Sequence, residues 1–85
     1  MGKRISFHAS KRIRKRGASF GFVNKVVRGE VRRSKMAADR PSRIILTARD
    51  LSGHYWSVIC NIECTRAITV REANKREIRN YEKSV

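Results

Sequence analysis

Arg43 to Ile62 reads RIILTARDLSGHYWSVICNI, two apolar runs on either side of Asp50-Leu51-Ser52-Gly53. Arg43 to Arg49 is apolar enough for a buried strand. The Asp-Leu-Ser-Gly segment has turn chemistry, and His54 to Ile62 resumes with β-branched and aromatic residues. On that second run Trp56, Val58, Cys60 and Ile62 share one face of a strand, and Tyr55, Ser57, Ile59 and Asn61 share the other. A tight turn at Glu63-Cys64 leads into Arg66 to Arg71, where Ile68 and Val70 fall on one face and Thr69 and Arg71 on the opposite one. The spacing predicts a three-stranded antiparallel meander.

Working outward, the period changes to that of helices. Ile5 and Phe7 read as a short extended lead-in. His8 to Arg16 are good helix formers with Ala9 and Ile13 on one face, and Gly17 is placed to stop them. Ser19 is an N-cap candidate for a second helix, Phe20 to about Arg28, whose Phe20, Val23, Val26 and Val27 form an apolar stripe ended by Gly29. Glu30 to Ser42 is polar, basic and contains Pro41, which reads as a long loop. After the meander, Glu72 to Lys83 reads as a helix with Ala73, Ile78 and Tyr81 on one flank. The expected fold class is α+β in one domain, residues 1–85: two N-terminal helices, a three-stranded antiparallel sheet and a C-terminal helix. The helices must cover one sheet face, which leaves the other partly open and cationic.

Charge narrows the partners. Lysine and arginine number 21 against 7 acidic residues, a formal charge of +14, and residues 1–35 hold twelve of those basic residues against one acid. Such a field favours polyanions, because neutralised phosphates release condensed counterions. Cys60 and Cys64 are the two cysteines. Their spacing with two distant histidines matches no common zinc finger, so no metal is expected, and Cys60 within an apolar strand reads as a small core residue. No apolar segment reaches membrane-spanning length and no signal-peptide pattern opens the chain, so the expected location is cytoplasmic, with reduced thiols and no membrane partner.

Two segments resemble a known family. Residues 14–20, RKRGASF, are similar to the R/K-K-H-G-V-S-F stretch of BrnT ribonuclease toxins, a branch of the RelE/ParE superfamily. Residues 66–82, RAITVREANKREIRNYE, are similar to that family's closing R-I-I-S-A-R-x-A-x-x-x-E-R-x-x-Y-E. His8-Ala9, Arg12 and Arg16-Gly17 also fit the H-A-x-x-R-x-x-x-R-G opening of a sister family. Arg16 stands where BrnT toxins have the histidine of K-H-G.

The resemblance implies a RelE/BrnT-like fold and metal-independent endoribonuclease action, in which the ribose 2′-OH attacks the adjacent phosphate. RNA, an acidic antitoxin protein and the ribosome are the implied partners, with no cofactor. That reaction needs a base, an acid and cations against the growing phosphate charge. Arg71 is the foremost cation, because its fork can grip phosphate in bidentate fashion. Arg66, five residues earlier on the same strand, is expected on the opposite face. His54, near Arg71 by the expected register, and His8 are the acid–base candidates. Lys11, Arg12, Arg14, Lys15, Arg16 and Lys75 are the RNA-binding candidates. Two other readings stay open: a non-catalytic RNA-, DNA- or ribosome-binding module of the same fold, and a ParE-like protein that poisons an enzyme by contact.

Overall fold

The computed structural model describes residues 5–84. The chain runs through α1 (Phe7–Arg16), α2 (Phe20–Arg28), β1 (Ser34–Ala37), β2 (Arg43–Arg49), β3 (Tyr55–Asn61), β4 (Ala67–Glu72) and α3 (Lys75–Lys83). The class is α+β, and the strands form one antiparallel sheet in the order β1-β2-β3-β4. The sheet therefore has four strands where the sequence predicts three. The extra one, β1, lies within the expected loop Glu30–Ser42 and pairs Ser34 with Thr47 and Ala37 with Ile44.

Both helices that open the fold start and stop on residues visible in the sequence. Ser6 caps α1 by accepting the Ala9 N–H, Ser19 caps α2 by accepting from Phe22, and Gly17 and Gly29 end them at φ 76°. Phe7 is thus the first helical residue instead of part of the extended lead-in. Ala9 and Ile13 from α1 and Val23, Val26 and Val27 from α2 meet Leu46, Ala48, Trp56, Val58, Cys60, Ala67 and Val70 from the sheet. This is the main core. Burial pushes the Cys60 thiol up to about 12, with the neighbouring Cys64 adding to it, as suits a core residue.

Helix α3 covers one end of the opposite sheet face, and beyond it Met36, Ile45 and Thr69 are half-buried. At the covered end, Ser34, Thr47, Ser57 and Arg71 stand side by side across the four strands, and α3 lies over them. Thr47 Oγ1 and Ser57 Oγ are 2.9 Å apart, and Ser57 Oγ donates to Glu77 Oε1 of α3 at 2.7 Å. Tyr81, buried, packs edge-on against Tyr55 with ring centroids 5.7 Å apart. An Asn74–Glu77 capping box starts α3, three residues later than expected.

Two irregularities set the ends of the sheet. Between Ile59 and Cys60 the β3–β4 register slips, so Ile68 is an extra residue on β4. Ala67 and Val70, three apart, consequently both face the main core. The Ile68 carbonyl accepts from Ser6 Oγ at 2.9 Å, and Ser6 N–H donates to the Ala67 carbonyl. One serine therefore caps α1 and ties it to the bulge.

At the other end, the β2–β3 turn closes on Asp50. Its Oδ1 accepts from the Ser52 and His54 N–H groups and the Ser52 hydroxyl, and its Oδ2 accepts from Trp56 Nε1 at 2.9 Å. Partial desolvation works to raise its pKa, but these donors outweigh it and hold the carboxyl at about 2. Because the folded value lies below the usual 3.8, this stability is present above about pH 4 and lost towards pH 2. Asp50→Asn should cost about 1–2 kcal/mol at neutral pH. Thermal melts of the two proteins should differ at pH 7 and converge at pH 2; an equal gap at both values would contradict this reading.

Candidate nucleic-acid interface

The catalytic candidates divide between two ends of β4. Ile5 bridges Ala67 and Ser6 bonds to Ala67 and Ile68, which puts the start of α1, with His8, near the start of β4, and Arg66 immediately precedes that strand. His54 and Arg71 lie at its far end, where Trp56 pairs with Glu72 and Ser57 with Arg71. Five strand residues at about 3.3 Å each separate the two groups by roughly 15 Å. The bulge at Ile68 also breaks the alternation expected to send Arg66 and Arg71 to opposite faces.

His54 and Arg71 share an end but not a face. His54 Nε2 lies 2.8 Å from Glu72 Oε1, and its ring lies against Trp56 at a 40° tilt with centroids 4.6 Å apart, on the α1/α2 side. Arg71 points to the α3 side. Its Nη1 and Nη2 donate to Glu77 Oε1 and Oε2 at 2.7 and 2.6 Å. Glu77 also accepts from Ser57 and from the Asn74 N–H. Burial works against the Glu77 carboxylate, but the Arg71 fork and these other donors hold its pKa below the usual range. The hydrogen bonds to Glu77 raise that of Arg71. The fork expected to grip phosphate is occupied in fastening α3 to the sheet. Lys75, at the first turn of α3, is exposed.

Other basic side chains are engaged in similar ways. Arg33 donates to the Val26 and Val27 carbonyls that end α2. Arg32 donates to the Tyr81 carbonyl at 2.7 Å and lies over its ring, and Arg28 pairs with Glu30. Helix α1 differs. Among the described residues, none of Lys11, Arg12, Arg14, Lys15 and Arg16 makes an ion pair, and neither α1 nor α2 contains an acid.

The buried edge of α1, Ala9 and Ile13, dictates where these cations go. His8, Lys11, Arg12 and Lys15 follow at i, i+3, i+4 and i+7, so they share one face. Together they line a shallow groove of about 230 Å³. A larger cleft, about 470 Å³, opens between the start of α2 and the β2–β3 turn. Phe22, Val31 and Leu51 make it apolar, with Lys25 and Arg49 at its border, which suits phosphate poorly.

The geometry thus assembles the RNA-binding candidates Lys11, Arg12 and Lys15 with His8, divides the catalytic candidates between the two ends of β4, and sends His54 and Arg71 to opposite faces. Sequence reasoning missed Ser6, which orients α1, and Glu77, which engages Arg71; the Asn74-x-x-Glu77 spacing of a capping box was the available signal. Among the described residues there is no group of three His, Cys, Asp or Glu side chains that could hold a metal ion, and no helix is long and apolar enough to cross a membrane. Comparison with protein-family models, with curated proteins and with solved structures finds no match.

Proposed function

We propose that this chain is an RNA-binding protein that holds the phosphate backbone on the cationic face of α1. One observation carries the reading: the fold engages Arg28, Arg32, Arg33 and Arg71 internally and leaves the α1 cations, gathered along one groove, without acidic partners among the described residues. A positive groove with unpaired cations is the electrostatic footprint of a backbone-tracking site. An acidic antitoxin segment, the partner that the resemblance of residues 14–20 and 66–82 implies, would compete for the same groove. Fluorescence anisotropy with labelled RNA tests the reading. If the four groove residues and their neighbours make about four phosphate contacts, affinity should fall by about 50-fold between roughly 0.05 and 0.2 M salt. Binding that is insensitive to salt, or absent at low salt, would sink the proposal.

One contact favours a second reading, metal-independent endoribonuclease action. A histidine whose ring nitrogen meets a carboxylate, as His54 meets Glu72 at 2.8 Å, is oriented for proton transfer. Total RNA incubated with the protein in excess EDTA should then yield fragments ending in 2′,3′-cyclic phosphate. Glu72→Gln should slow that cleavage without changing RNA retention, because Glu72 is exposed and does not line the α1 groove. Intact RNA after prolonged incubation would dismiss the reading and leave the binding module.

A further inference from the structure

We infer that the RNA held on α1 is single-stranded and stacks an unpaired base on Phe7, an inference that rests on the RNA-binding reading above. Phe7 is the first residue of α1, yet it is 78% exposed. Packing of the helix falls to Ala9 and Ile13, so Phe7 has no role in the core. Lys11 Nζ stands over its ring, 5.5 Å from the centroid. At the other end of the helix the arrangement repeats: Arg14 Cζ is 5.8 Å from the ring of Phe20, which is 40% exposed.

Phe7, Lys11 and Arg14 follow at i, i+4 and i+7, so they run along one side of α1 over about 10 Å. Lys11 also borders the groove shared with His8, Arg12 and Lys15. Aromatic faces and backbone-tracking cations are thereby interleaved on one helix. That combination suits unpaired strands, whose bases can stack on a ring while their phosphates meet the cations. In a duplex the base faces are already stacked on each other, and recognition falls to groove shape, 2′-hydroxyls and phosphates. Phe7 would then contribute nothing.

The bland account is that Phe7 only supports Lys11 through an i,i+4 contact, and it predicts different data. Anisotropy titrations would use a short unstructured U-rich oligoribonucleotide and the same strand annealed to its complement. Phe7→Ala should bind the single strand about tenfold more weakly than the wild type and the duplex within about twofold of it. Circular dichroism should match the wild type, since the side chain is largely exposed. Phe7→Trp should keep single-strand affinity and show quenching of its indole when that RNA is added, against the steady emission of buried Trp56.

Unchanged single-strand affinity in Phe7→Ala, an equal loss on both RNAs, or an unresponsive indole in Phe7→Trp would each overturn the stacking proposal while leaving RNA binding intact. A wild type that binds neither RNA would remove the underlying reading as well.

Discussion

Arg71→Ala is expected to lower stability by about 3 kcal/mol, because it strands a buried carboxylate. Glu77 is 2% exposed and receives both arms of the Arg71 fork, with Ser57 and the Asn74 N–H completing its shell. Removing the fork leaves a charge in the interior with half its donors. Breaking such a pair usually costs about 3–5 kcal/mol; the lower end applies because the Arg71 side chain is partly exposed and water screens it. For a domain of this size that corresponds to a melting temperature lower by roughly 10–25 °C. A chain with about 5–15 kcal/mol of total stability would retain only part of it.

The pH dependence identifies the cause. The folded pKa of Glu77 lies below its usual 4.5, so the pair stabilises the fold above the ordinary carboxylate range and ceases to do so as pH falls through the folded value. In the variant the carboxyl can take up a proton more easily, so melts of wild type and variant should draw together in acid. Replacing both partners, Arg71→Met with Glu77→Met, should recover most of the lost stability, since an apolar pair carries no desolvation cost. A single variant that melts within a degree or two of the wild type would refute the structural role. If the role holds, loss of any RNA activity in Arg71→Ala reports on folding and not on phosphate chemistry.

The hairpin around Asp50, both N-terminal helices and the cationic block of α1 were legible in the sequence, because each depends on local chemistry: turn residues, caps and periodicity. What escaped it depends on register. Ser34-Lys35-Met36-Ala37 is too short to display alternation, and it becomes a strand only because β2 offers an edge. The extra residue at Ile68 leaves no mark among β-branched neighbours, yet it decides which side chains of β4 face the core. Without the register, His54 and Arg71 look adjacent. With it, Trp56 lies opposite Glu72 and Ser57 opposite Arg71, and the two candidates part to different faces. Glu77 escaped for another reason. An acid within a run of charged helical residues reads as solvated until a fork from the sheet is found beneath it.

Lys11→Glu combined with Lys15→Glu should weaken RNA binding by about 10²–10³-fold at 0.1 M salt, with the fold unchanged. Each phosphate contact on a single strand contributes about −0.7 to the slope of log affinity against log salt, so at 0.1 M it is worth about fivefold relative to 1 M. Two lost contacts give about 25-fold, and two acids facing the backbone add repulsion of similar size. Both lysine side chains are exposed and without ion-pair partners among the described residues, so stability should change little. Carboxylates at these two positions would even relieve some of the repulsion that the lysines meet from neighbouring cations. The control is a pair of equal charge change elsewhere. Arg76 and Arg79 on α3 are exposed and lie across the sheet from α1, so Arg76→Glu with Arg79→Glu lowers net charge by the same amount. A general attraction between a chain of +14 and any polyanion predicts equal losses from the two pairs. A site on α1 predicts that the α3 pair costs no more than about tenfold, and that the salt slope falls by more than about one unit only for the α1 pair. Equal losses would mean that net charge, and no particular face, brings RNA to this protein.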